Sequence, residues 1–167
     1  MPPRPAHKLE PPARVRPAQA RDLDALFELE NRAFATDRLS RRSLRHFMRS
    51  PAAAMIVAEG EAGLLAGAAI VLFRSRSKVA RLYSIAVAPH MSGRGVAPML
   101  LAAAETIARR RGCRTIGLEV HELNHAAIAR YRKQGYHEFG RHRRYYDDGG
   151  DALRFRKQLA DRGGSSR

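Results

Sequence analysis

The chain has 167 residues, 44% of them hydrophobic, with 31 Lys and Arg against 16 Asp and Glu (a formal charge of +15) and a single cysteine. That length suits one domain with a sizeable core, the lone Cys113 excludes an intramolecular disulfide and suits a reducing, cytoplasmic compartment, and the charge favours an anionic ligand over a cationic one. A secretory leader and a membrane span are not expected, because prolines crowd the N-terminus and Glu59 and Glu61 interrupt the longest apolar region, residues 52–73.

Residues 1–12, "MPPRPAHKLEPP", read as a flexible Pro-rich tail, residues 13–158 as a single domain, and residues 159–167 as a second flexible tail. Within the domain a short strand at 13–17 precedes a helix over about 22–35, whose faces are marked by Leu23, Leu26, Phe27, Glu30 and Phe34. Ser40 is a candidate N-cap for a second helix over about 40–49. Strands follow at about 53–59, 64–73 and 79–87, separated by the turn sequences "EGEAG" and "RSRSK". A helix over about 95–110 places Val96, Met99, Leu100, Ala103 and Ile107 on one face and is closed by Gly112. A strand at 114–120, a helix from Asn124 to about 134 closed by Gly135, and two strands near 136–144 and 151–157 flanking "DDGGD" complete the chain. The order β-α-α-β-β-β-α-β-α-β-β predicts an α/β (α+β) plan, a mixed, mostly antiparallel sheet of about seven strands flanked by about four helices.

The stretch "YSIAVAPHMSGRGVAPMLL", residues 83–101, runs from a β-branched strand through a glycine loop into a helix. It has no Walker lysine and too few glycines for a dinucleotide fingerprint. Gly93 and Gly95 let backbone approach a bulky ligand, and the first-turn amides at Val96 and Ala97 have no partner inside a helix; with the helix dipole they suit a pyrophosphate. Pro98 is tolerated there because its missing amide is not needed. The segment resembles the acetyl-CoA-binding motif of the GNAT N-acetyltransferase superfamily, [Gln/Arg]-x-x-Gly-x-[Gly/Ala], with Gly95 and Ala97 in register. Ser92 stands where the family has Gln or Arg, and Arg94 is placed to compensate. The resemblance implies that Ile85, Ala86 and Val87 pair their backbone with the pantetheine arm of acetyl-CoA, one amide polarising the thioester carbonyl. It also implies the acyl-CoA N-acyltransferase fold.

The stretch "LEVHELNHAAIARYRKQGY", residues 118–136, resembles a second GNAT segment, and with "RRYYDDGGDAL" it is most similar to the ribosomal-protein alanine N-acetyltransferase group. That resemblance implies Glu119 as general base, Tyr131 as general acid and Asn124 as a cofactor contact. The chemistry needs such groups: an α-amine is mostly protonated at neutral pH, with a reference pKa of about 8, and a carboxylate must remove that proton while a donor meets the departing thiolate.

Residues 121–125, "HELNH", also match the zinc-peptidase pattern His-Glu-x-x-His. The strand-like "TIGLEV" before it and Asn124 as an N-cap put His121 outside the helix, so the shared histidine face is lost and no metal is expected. On the acceptor side, Phe34, Asp37 and Arg38 are the candidates, in "FATDRLSRRS" where the alanine acetyltransferases carry an aromatic-Pro-Trp-Ser stretch. Three acceptors or roles stay open: a protein or peptide α-amine, a small amine such as a polyamine, amino acid or antibiotic, and a non-catalytic RNA- or ribosome-binding module using the arginines at 41–45, 109–114 and 141–144.

Overall fold

A computed structural model describes residues 11–160. Most of both expected tails, residues 1–10 and 161–167, lies outside the described residues; Leu159, expected in the second tail, is buried and its amide bonds the carbonyl of Arg114 at 2.8 Å. The strands are β1 Arg14–Pro17, β2 Ala53–Glu59, β3 Leu65–Phe73, β4 Val79–Val87, β5 Thr115–His121, β6 His137–His142 and β7 Ala152–Gln158. The helices are α1 Leu23–Ala33, α2 Arg41–Arg49, α3 Val96–Arg110 and α4 His125–Lys133. The sheet order is β1-β2-β3-β4-β5-β7-β6, antiparallel throughout except between β4 and β5. The expected seven-strand, four-helix plan is what the chain forms.

Period-2 alternation sets the two faces. Met55, Ala68, Ile70, Ser84 and Ala86 face Leu26, Leu29 and Leu44 of α1 and α2. Gly67 faces the opposite side, against Val96 and Leu100 of α3. Helix α3 packs on this side with a mixture of branched and small residues. It buries Val96, Ala97, Leu100, Leu101, Ala104 and Ala108, whereas Met99, Ala103 and Ile107, expected on the core face, are only partly buried.

The caps behave as their side chains dictate. Ser40 accepts from the Ser43 amide at 3.1 Å and Asn124 from the Ala127 amide at 3.2 Å. Buried Glu30 does something the helical pattern did not reveal: it reaches out of α1 to accept the Leu39 amide at 3.0 Å, fixing the loop that joins α1 to α2.

One irregularity organises the functional end of the sheet. Strands β4 and β5 pair only over Val79↔Thr115, Ala80↔Ile116 and Arg81↔Gly117. Beyond these, β4 stays with β3 while β5 stays with β7, so the two parallel strands part. A bulge in the β3–β4 ladder at Tyr83 increases the twist where the parting begins.

Candidate active site

The parted strands leave residues 84–87 of β4 with a partner on one side only, β3. An extended ligand can bond that free backbone edge as a further strand would. The 3-10 turn Pro89–Met91 then carries the chain into the glycine loop. Gly93 and Gly95 have φ of 75° and 82°, and an added Cβ at either would meet nothing within 4 Å, so left-handed backbone, not crowding, requires glycine there. Helix α3 starts at Val96 and its first bond in the chain runs from the Met99 amide to the Gly95 carbonyl. The Val96 and Ala97 amides therefore point out of the helix end, unpaired among the described residues, and Pro98 has none to offer. Ser92 and Arg94 are exposed on the same loop. Free edge, glycine loop and open helix start follow one another along the chain as one continuous path.

Glu119 and Tyr131 approach this path from opposite faces. Glu119 shares the α1 and α2 face of the sheet with Arg81, whose Nε donates to Glu119 Oε2 at 3.0 Å; the Glu119 side chain is 16% exposed. Oε1 makes no hydrogen bond among the described residues and is the oxygen left to a water or an amine. Tyr131 is buried beneath the other face, edge-on to Tyr136, and burial pushes its phenol up to about 12. Asn124 stands at the start of the same helix, its Oδ1 committed to the Ala127 amide.

Arg81, Tyr145 and Tyr146, which the sequence did not single out, hold this arrangement together with His121. Arg81 is braced by Tyr145 as well, its Nη2 donating to the phenolic oxygen at 2.7 Å. Tyr146 sits between the faces: it is pushed up by burial first, then by the nearby Tyr145, Glu119, Tyr131 and Asp37. The His121 ring stacks on Tyr146 with centroids 4.9 Å apart. His121 Nδ1 accepts the Leu123 amide at 3.1 Å, so the neutral ring carries its proton on Nε2 and donates it to Asp148 at 2.8 Å. The Gly150 amide and His121 hold Asp148 below the usual carboxylate range. The loop between β6 and β7 is tied down further by Arg141, which bridges Glu122 and Asp151 at 2.8 and 2.9 Å. It meets the α1–α2 loop where Asp37 pushes the Asp147 carboxyl up.

The histidines of "HELNH" are separated as the cap predicts. His121 ends β5 and His125 begins α4, with a turn between. Among the described residues no group of three or more His, Cys, Asp or Glu is placed to hold a metal ion. No helix among them is long and apolar enough to cross a membrane.

Comparison with known proteins agrees with this geometry. The profile described as "Acetyltransferase (GNAT) family" matches residues 21–136. A Bacillus subtilis (strain 168) protein, assigned as a candidate ribosomal protein bS18-alanine N-acetyltransferase, is 27% identical over 142 residues, which is 84% of this chain and 92% of that protein. The streptothricin acetyltransferase of Streptomyces lavendulae is 38% identical over 80 residues, 48% of this chain and 42% of that one. The crystal structure of the ribosomal-protein-S18-alanine N-acetyltransferase from Escherichia coli superposes with a TM-score of 0.80 at 26% identity, covering 93% of this chain and 99% of that one. The chain belongs to the GNAT acetyltransferase family and is an acetyl-CoA-dependent N-acetyltransferase.

Proposed function

We propose that the acceptor is the α-amine of a protein or peptide, with Glu119 as the base and Tyr131 as the donor to the departing sulfur. The observation that carries this is the Glu119 carboxylate on the open face where β4 and β5 part, one oxygen held by Arg81 and the other free. Support for a protein acceptor comes from the two alanine N-acetyltransferase relatives, which match along nearly the whole chain.

Acetyl-CoA lies along residues 85–87, with its pyrophosphate on the amides of the 93–98 loop and Asn124 at its flank. An amide of β4 donates to the thioester oxygen; such a donor contributes about 3 kcal/mol to acyl transfer. Glu119, directly or through a water, takes a proton from the acceptor ammonium. The free amine attacks the carbonyl carbon, the C–N bond forms and the C–S bond breaks. Tyr131 hydrogen-bonds the departing sulfur. With its phenol at about 12 and a thiol near 8.5, full proton transfer from Tyr131 is uphill. The thiolate therefore finishes its protonation with the proton that the amine releases.

A small amine is the second reading, favoured by the streptothricin acetyltransferase match. Binding of the basic surface to a ribosome or nucleic acid would use the arginines at 41–45, 109–114 and 141–144, of which Arg109, Arg110 and Arg114 line a 360 Å³ hollow. Steep loss of that binding with salt, without thiol release, is its signature. We place the enzyme in the cytoplasm, where its free Cys113 stays reduced.

The test is CoA thiol release from acetyl-CoA with a peptide bearing a free N-terminal alanine, and with the same peptide blocked at that amine. Release from the free peptide alone, lost in Glu119→Gln while acetyl-CoA binding persists, is expected. Equal rates from both peptides, or an unchanged Glu119→Gln rate, would overturn the assignment.

A further inference from the structure

Resting on the acceptor reading above, we propose that the amine taken by this enzyme carries an anionic group, a carboxylate a few ångströms from the nitrogen, which Arg154 and Arg156 receive. The face that bears Glu119 opens into a cleft of about 840 Å³ between α2 and the far strands of the sheet. Its charged lining is one-sided: Arg74, Arg81, Arg154 and Arg156 against Glu119 alone.

Register decides the distances within it. Glu119 on β5 is the direct partner of Arg154 on β7, and Gly117 is the partner of Arg156. Partners across an antiparallel ladder have Cβ atoms about 5 Å apart, so Arg154 and Glu119 start close enough to pair. They do not. Glu119 is committed to Arg81, and Arg154 lays its guanidinium over the Phe139 ring at 4.6 Å. Arg156 lies over the same ring at 4.8 Å. Gly140 on β6 lies alongside the Arg154 stem, its Cβ position 3.6 Å from Arg154 Cδ, an ordinary packing distance.

Among the described residues neither Arg154, Arg156 nor Arg74 has a carboxylate within 4.0 Å, whereas Arg81, the fourth arginine of the cleft, is paired with Glu119 at 3.0 Å. Among the described residues Arg154 Nε is buried with no hydrogen-bond partner. A buried unpaired donor on a cation is costly unless something arrives to accept from it. Two guanidinium groups flanking one aromatic ring are pre-organised, and Gly117, opposite Arg156, puts no side chain in the way. A carboxylate fits this fork and leaves the attached amine within reach of Glu119 Oε1. A polycationic acceptor does not, because it would meet three unneutralised arginines.

Two sources supply the chemistry: a peptide whose first residue is Asp or Glu, or a free amino acid. The experiment measures kcat/KM at low salt for three peptides identical except for an N-terminal Asp, Ala or Lys, and for free aspartate. A dead-end inhibitor completes it, the Asp peptide with its α-amine already acetylated. Each charge-assisted hydrogen bond is worth about 1.5–3 kcal/mol, so Asp is expected to exceed Ala by about 10- to 100-fold, with Lys lowest. Added salt should compress the spread. Arg154→Gln with Arg156→Gln should erase the Asp advantage and the inhibition while leaving the KM for acetyl-CoA unchanged. Transfer to the Asp peptide but not to aspartate identifies a polypeptide source, and the reverse a small one; both support the anionic class. Equal rates for Asp, Ala and Lys, or a preference for Lys, would overturn it; the latter would seat the acceptor against Asp37 and Asp147 instead. If no α-amine is acetylated yet the blocked Asp peptide still binds wild type and not the double variant, the anion site stands and the α-amine reading falls.

Discussion

Replacing Gly67 by alanine should damage stability and cofactor binding together. Gly67 sits on β3 opposite Val87, where β3, β4 and the first turn of α3 meet beneath the glycine loop. A Cβ there would lie 2.7 Å from the Ala86 carbonyl oxygen, 2.9 Å from Leu100 Cδ1 and 3.1 Å from Val96 Cγ1. The two side-chain atoms can turn a little, but the carbonyl is backbone of β4 and moves only if the strand moves. Overpacking of this kind costs about 1–3 kcal/mol, and for a domain of this size about 2–4 °C in Tm accompanies each kcal/mol. Thermal unfolding should therefore fall by about 2–12 °C. Because residues 85–87 and the start of α3 are the elements displaced, the KM for acetyl-CoA should rise several-fold with the acceptor KM little changed. A Tm within about a degree of wild type, with an unaltered KM, would refute the claim that this crossing is the tight point that aligns β4 with α3.

Tyr131→Phe should lower kcat by about 100-fold, the low end for a general acid or hydrogen-bond donor, without changing the unfolding temperature greatly. Since burial lifts the phenol to about 12, the hydroxyl keeps its proton through the working range. The wild-type kcat/KM should rise toward the α-amine pKa of about 8 and show no alkaline fall from Tyr131 up to about pH 10; a fall there would contradict the assignment. Burial raises the Glu30 carboxyl, so its charged form costs stability that is absent at acid pH and appears as pH rises above its reference value of 4.5. Glu30→Gln keeps an acceptor for the Leu39 amide and should be as stable as wild type near pH 4 and more stable at neutral pH, whereas Glu30→Ala frees the α1–α2 loop and lowers Tm. Hydrogen bonding to Arg16 holds Asp22 below its reference value of 3.8, so its contribution is complete above that pH and lost as pH falls through the folded value. Urea midpoints of wild type and Asp22→Asn should therefore differ at pH 7 and converge in strong acid.

Much of the element order was legible because local signals carried it. The caps Ser40 and Asn124, the closing glycines at 112 and 135, and the strand of residues 53–59 sit where side-chain chemistry and alternation put them. The glycine loop was legible for the same reason: its left-handed residues are written as glycine. Strand neighbours were not. Nothing local states that β7 inserts between β5 and β6, and that insertion is what sets Arg154 opposite Glu119. Arg81 lies 38 residues from Glu119 and Tyr145 lies 64 from Arg81, so their contacts appear only when the sheet closes. The alternating polar positions Arg81 and Tyr83 on β4, and Gly117, Glu119 and His121 on β5, were the available signal, awaiting the knowledge that these strands are parallel neighbours.

Acetyl transfer to an α-nitrogen at the place where β4 and β5 part is open to direct measurement. Its most direct test is tandem mass spectrometry of a peptide carrying both a free α-amine and an internal lysine, incubated with acetyl-CoA and enzyme. Acetyl is expected on the α-nitrogen, dependent on Glu119. Acetyl on the lysine side chain alone, or on the α-nitrogen at an unchanged rate in Glu119→Gln, would contradict it.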